Sequence, residues 1–126
     1  MSFDPVRIGV IGTGRFGILH AKTLLGLAES ELVALVDCSE KALAELPEDF
    51  SGIPKYSAPE DALRKSSAEA WVVSTSTADH VQVASMVLEQ DAHVLLEKPI
   101  SGNLQEALKL SPLVSQTQGK LMLGHI

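Results

Sequence analysis

Cysteine is nearly missing from this chain of 126 residues: Cys38 is the only one. A single thiol excludes a disulfide framework and a cysteine-built zinc site within one chain, and a reducing cytoplasm is the compartment it favours. Basic residues are also scarce, 10 against 16 acidic ones, which leaves a net charge of −6. That balance speaks against nucleic acid or an anionic membrane as partner, because both select a basic face. No apolar run approaches the ~20 residues that span a bilayer. The first residues, "MSFDPVRIG", put an acid and a proline where a signal peptide has a basic start and an apolar core. His20, His80, His93 and His125 show no ligand spacing with acids or with Cys38, so no metal is expected. Linkers, repeats and low-complexity runs are lacking as well, and the length fits one domain.

What the chain does have is a regular alternation. Short segments rich in Val, Ile and Leu recur at Val6–Ile11, Glu31–Val36, Ala70–Thr75, Ala92–Glu97 and Lys120–Ile126, with a weaker one at Pro54–Ser57. Most are apolar at consecutive positions, as strands covered on both faces are. Between them lie helix-like stretches: Arg15–Ala28, Ser39–Leu46, Pro59–Lys65, Ala78–Glu89 and Leu104–Ser115. Ser57 with Glu60, Ser76 with Asp79 and Asn103 with Glu106 each set a capping side chain three residues before an acid. Repeated strand–helix alternation predicts an α/β domain with a doubly wound parallel sheet, strand order 3-2-1-4-5-6. The sequence stops in "LMLGHI", inside a strand pattern, so a fragment of a longer chain is expected.

Three glycines in six residues, Gly12, Gly14 and Gly17, follow the first strand and open the first helix. The pattern G-x-G-x-x-G is weak alone, but this is the context it requires. Gly12 permits the tight turn, Gly14 lets a pyrophosphate approach the backbone, and Gly17 lets helix and sheet pack closely. Free amides and the helix dipole then hold the anion. Asp37 closes the second strand, where an acid accepts both ribose hydroxyls and disfavours a 2′-phosphate. NAD is therefore expected, while Lys41, one turn on, keeps NADP open. The plainer reading is that the glycines make a turn and that Asp37 caps the next helix with Glu40.

Two further stretches fall at carboxyl ends of strands, where such sheets bind ligands. In "VVSTSTADHVQVA", Ser74, Thr75, Ser76 and Thr77 could line the ribose–nicotinamide half, or simply start a helix. His80 in this stretch fits packing or local hydrogen bonding better than catalysis. In "HVLLEKPISGN", Glu97-Lys98-Pro99 ends a nearly all-apolar strand. A buried lysine there is costly without a task. Its ammonium could donate to a substrate oxygen as hydride leaves or arrives, and burial would lower its pKa toward proton transfer. Pro99 could sit in a cis peptide that aims Lys98 inward. The plainer reading is a surface lysine after a strand.

These stretches together resemble the N-terminal half of the Gfo/Idh/MocA oxidoreductases, a family that includes inositol dehydrogenases and glucose–fructose oxidoreductase. The likeness covers essentially the whole chain, and Glu-Lys-Pro at the fifth strand is its most discriminating part. It implies a Rossmann domain over residues 1–126, binding NAD or NADP, with an α+β substrate domain to follow that also mediates homo-oligomers. By the same likeness Lys98 contacts the reacting hydroxyl. Gly12, Thr13, Gly14, Arg15 and Phe16 wrap the pyrophosphate, and Asp37 binds the adenosine ribose. Ser74, Thr75, Ser76 and His80 flank the middle of the cofactor, with Glu97 beside Lys98. Ser76 stands where members often have proline, and Gly124 and His125 match the run toward the second domain. The catalytic histidine and the substrate residues of the family lie in its second half, outside this chain.

The expected parent is thus a dehydrogenase moving hydride between a nicotinamide cofactor and a sugar, polyol or related hydroxy compound. This chain alone is expected to fold, bind NAD weakly and show no turnover. A dinucleotide sensor without chemistry is the alternative, and it has no use for Lys98. A short-chain dehydrogenase is disfavoured, because Tyr56 is followed four residues later by Glu60 and not by lysine.

Overall fold

The computed structural model describes residues 4–124. Its six strands are β1 (Val6–Ile11), β2 (Ser30–Val36), β3 (Lys55–Tyr56), β4 (Ala70–Val73), β5 (His93–Glu97) and β6 (Leu121–Gly124). They form one sheet in the order β3-β2-β1-β4-β5-β6, and every pairing is parallel. The helices are α1 (Arg15–Gly26), α2 (Glu40–Ala44), α3 (Pro59–Lys65), α4 (His80–Glu89), α5 (Leu104–Leu108) and α6 (Leu110–Gln116). The doubly wound parallel sheet and its strand order are those expected from the alternation.

The register explains the unbroken apolar strands. Val10 pairs with Leu35 on one side and Val72 on the other, and Ile11 pairs with Val36 and Val73. Side chains alternate across a strand, so these two rows point to opposite faces. The Val10–Leu35–Val72 row packs with Ala21 of α1 and with Phe50. The Ile11–Val36–Val73 row joins Trp71, Ala62 of α3, a row from α4 and Leu110 of α6. Polar residues on either face would have no water to meet.

Local rules correct several expected boundaries. The last helix is broken into α5 and α6. Pro112 has no N–H to give the Leu108 carbonyl four residues back, and its ring crowds that carbonyl. Ser57 does not cap α3. Pro59 fixes the first helical position, which makes Ala58 the flanking residue, with no side-chain cap bond. Ser76 donates its hydroxyl to the Asp79 carboxylate, 3.0 Å away, and accepts from no helix amide. Asn103 does cap, accepting from Glu106 N–H at 2.8 Å. Ser39, not Asp37, caps α2, accepting from Ala42 N–H at 3.1 Å. His125 lies outside the described residues.

Candidate functional site

The strand order reverses between β1 and β4, and a crevice opens there at the carboxyl ends of the strands. The chain leaves β1 through Gly12, whose φ of +98° belongs to the left-handed half of backbone space. A Cβ there would also sit 2.4 Å from the Ser74 carbonyl oxygen, so the turn runs hard against the end of β4. Gly17 faces back onto the same turn: a Cβ on it would meet the Gly12 carbonyl oxygen at 1.8 Å. Gly14 differs from both, since a Cβ there would meet nothing within 4 Å. The fold requires Gly12 and Gly17, and leaves Gly14 facing open space.

That open space lies at the start of α1. The helix ladder begins with Ile18 N–H to the Gly14 carbonyl at 2.9 Å. The amides of Gly14, Arg15, Phe16 and Gly17 therefore have no acceptor inside the helix. No side chain caps this end and no acid stands in the first turn. The dipole leaves positive potential there, and Arg15, stacked over the Phe16 ring at 6.0 Å, adds a charge. Bare amides, a cation and space for a ligand atom make an anion cradle.

Asp37 sits at the end of β2, joined to the glycine turn by Thr13. Its Oδ2 accepts from the Thr13 amide at 2.9 Å and the Thr13 hydroxyl at 2.8 Å. Its Oδ1 accepts from Ser39 N–H at 2.9 Å. Partial burial by itself raises the carboxyl pKa. The Ser39 and Thr13 amides and the Thr13 hydroxyl outweigh it and hold the group below the ordinary value of 3.8. Thr13 is 4% exposed and both its donors go to Asp37, so it orients the acid. The Gly12 N–H is also taken, by the Val36 carbonyl at 2.7 Å, so the amides at the crevice are those of Gly14, Arg15 and Phe16.

Two cavities flank the loop and share Gly14, Ser74 and Thr75 as a common wall. One, about 490 Å³, has Asp37, Cys38, Pro59, Gln82 and Met86 among its lining. The other, about 460 Å³, is bounded by Arg15, Phe16, Thr77, His80, Glu97 and Lys98. Of the expected site residues, Gly14, Arg15, Phe16, Asp37, Ser74, Thr75, Ser76, His80, Glu97 and Lys98 thus all border one trough. Gly12 also borders it, on the Asp37 side, and Thr13 is buried behind it.

Lys98 requires a correction. It follows the end of β5 and is exposed, not buried, because the strand has already emerged from the core at half-buried Glu97. The argument from the cost of a buried lysine therefore does not apply. Its place at the cavity wall remains. The Lys98–Pro99 peptide is cis. Thr75 Oγ1 donates to the Ser76 carbonyl at 3.3 Å, and Ser76 is exposed.

One contact escaped the sequence reading. The His20 ring on α1 reaches the Glu97 carboxylate, Nε2 to Oε1, across 77 positions of chain. It ties the cradle helix to the residue before Lys98. No local pattern in the sequence signals it. Among the described residues, no group of three or more His, Cys, Asp or Glu side chains is placed to hold a metal ion. No helix among them is long and apolar enough to cross a membrane.

A doubly wound parallel sheet with an uncapped helix start behind a glycine turn, and an acid at the end of the second strand, defines a dinucleotide-binding domain. Residues 6–125 match the oxidoreductase family with an NAD-binding Rossmann fold, Gfo/Idh/MocA. The chain belongs to that family and is its NAD-binding domain. It is 34% identical over 101 residues to a myo-inositol 2-dehydrogenase of Thermotoga maritima, covering 80% of this chain and 30% of that protein. An apo scyllo-inositol dehydrogenase from Lactobacillus casei superposes with a TM-score of 0.90 at 21% identity, over 98% of this chain and 38% of that one. The same enzyme solved with NAD(H) and scyllo-inositol gives 0.85 at 22% identity, over 96% and 36%. The chain thus spans about a third of the length of the proteins it matches.

Proposed function

We propose that this chain is the cofactor half of a dehydrogenase that moves hydride between NAD and a hydroxyl-bearing carbon of an inositol, another polyol or a sugar. The observation that carries the proposal is the trough itself, with an anion cradle in the middle, an acid at one end and Lys98 at the other. Gly14, where a Cβ would meet open space, gives a diphosphate the close approach it requires. The NAD-binding family match supports the same reading, as do relatives named as inositol dehydrogenases.

The geometry supports a role for each residue. The amides of Gly14, Arg15 and Phe16 donate to the diphosphate, and the Arg15 guanidinium adds charge. Asp37, oriented by Thr13, has acceptor sites left for the ribose hydroxyls. Ser74, Thr75 and Ser76 line the wall beyond. The bound dinucleotide supplies the hydride acceptor, which the side chains cannot. Lys98 donates a hydrogen bond to the reacting oxygen and stabilises the charge that develops there. One wall of the pocket is then open, so the lone chain binds NAD weakly and turns nothing over.

A longer polypeptide is part of this reading, with a substrate domain after residue 126 that also carries homo-oligomer contacts. A cytoplasmic location fits its single cysteine. The alternative, a sensor without chemistry, draws no support from an oxidoreductase family match. The test is Lys98→Ala in the full-length enzyme. Turnover should fall by at least about a hundredfold while NAD affinity stays within about threefold. Unchanged turnover would remove Lys98 from the chemistry.

A further inference from the structure

His80 opens α4 and is 2% exposed. Its ring lies between two loops that the sequence places far apart. Nδ1 is 2.7 Å from the carbonyl oxygen of Pro99, the residue after Lys98. Nε2 is 3.1 Å from the carbonyl oxygen of Thr75, in the wall shared by the two cavities. Both partners are backbone carbonyls, which only accept. A neutral imidazole has one N–H and one bare nitrogen, so it can serve one of them and sets a lone pair against the other. Only the doubly protonated ring donates to both.

We infer that His80 is the positioning residue for Lys98: an imidazolium that donates from both ring nitrogens and ties the loop after β5 to the loop after β4. The ring does not itself reach a ligand with a ring nitrogen, since both are engaged. It fixes the peptide that follows Lys98 and, through Thr75, the wall against which a cofactor lies. The start of a helix disfavours a cation, and two charge-assisted hydrogen bonds offset that. The charged groups on the elements packed around it are Asp79 beside it on its own turn, Glu97 and Lys98 at the end of β5, and Arg15 across the cavity. His20, on α1 at the opposite face of the sheet, is the histidine that meets Glu97 of the cavity lining.

The state of the ring is read directly by nitrogen-15 spectroscopy of the histidine side chains. In the spectrum of the folded protein both His80 nitrogens should carry hydrogens; one bare nitrogen would overturn the double-donor assignment. The positioning role rests on the NAD reading above. The hold on Lys98 is tested by turnover of His80→Asn in the full-length enzyme, which should fall about three- to tenfold; turnover equal to wild type would refute it. The hold on the Thr75 wall is tested by calorimetric titration with NAD from about pH 6 to pH 9. Wild-type affinity should fall as the pH rises and one donor is lost. His80→Asn keeps a donor where Nδ1 stands, and His80→Gln keeps one where Nε2 stands. Each should bind NAD about three- to tenfold more weakly near pH 6, the scale of one lost hydrogen bond. The His80 part of the pH dependence should disappear in both, while any part owed to His20 persists. Variants that melt as wild type and keep its affinity and pH profile would refute the positioning role. A wild type that binds no NAD would refute the function proposed above, and the spectrum would still decide the state of His80.

Discussion

The three glycines of the first turn should behave differently when each receives a methyl group. In Gly17→Ala the new Cβ starts 1.8 Å from the Gly12 carbonyl oxygen, about 1.6 Å short of ordinary contact. Both neighbours are backbone, so α1 must shift or the turn must open. Overpacking of this kind costs about 3 kcal/mol, or roughly 10 °C in melting temperature for a domain of this size. Gly12→Ala combines a 2.4 Å approach to the Ser74 carbonyl with a positive φ, and should be at least as damaging. In Gly14→Ala the methyl group meets nothing within 4 Å. Alanine is only a poorer residue at a helix start, worth ~0.5–1 kcal/mol. NAD should nevertheless bind about ten- to a hundredfold more weakly, because the methyl group holds the diphosphate off the amides and weakens a charged hydrogen bond of ~1.5–3 kcal/mol. Thermal melting and calorimetric titration of the three variants read both quantities. A Gly14→Ala protein that binds NAD as wild type does, or a Gly17→Ala protein that melts with it, would refute the assignment of one glycine to the ligand and two to the fold.

Asp37 should also show itself at acid pH. Its folded-state pKa lies below the ordinary 3.8, so its contribution to stability is complete above that value and is lost as the pH falls through the folded value. Asp37→Asn should flatten that part of the acid limb in urea unfolding, and an unchanged limb would speak against the Thr13 and Ser39 bonds. Removing the acid should also improve NADP binding relative to NAD, with Lys41 available to meet the phosphate; an unchanged ratio in paired titrations would contradict the ribose role. Trp71, 1% exposed, lies against Gly9, where a Cβ would be 2.2 Å from its ring. Gly9→Ala should therefore cost ~1–3 kcal/mol and perturb the tryptophan's near-ultraviolet circular dichroism, whereas a silent substitution would deny that packing. Ser39→Ala should cost ~1 kcal/mol in unfolding free energy through loss of the α2 cap.

The sequence made local features readable and hid those that depend on distant parts of the chain. Consecutive apolar residues at Val10–Ile11, Leu35–Val36 and Val72–Val73 read as strands covered on both faces, and the strand–helix alternation pointed to the sheet order. Gly12, Gly14 and Gly17 were readable because their spacing encodes a turn, an approach and a packing contact. The division of roles among them was readable from that spacing too: a Cβ on Gly12 or Gly17 would strike backbone, and one on Gly14 would meet open space. Thr13 was a pyrophosphate residue by the family likeness. Its donors are taken by Asp37, 24 positions away, a pairing that only the β1–β2 register creates. Lys98 looked buried because the residues before it are apolar, yet the strand leaves the core one residue earlier. The break at Pro112 was readable in principle from proline chemistry alone. The His20–Glu97 and His80–Pro99 contacts join a helix to a neighbouring strand end, and no local pattern marks them.

The central claim is that amides at the start of α1 hold the diphosphate of NAD. Titrating nitrogen-15-labelled protein with NAD tests it most directly, residue by residue. The amide signals of Gly14, Arg15 and Phe16 should move most, with those around Asp37 and Thr75 following. Saturable shifts that centre elsewhere on the sheet and leave those three amides in place would contradict it.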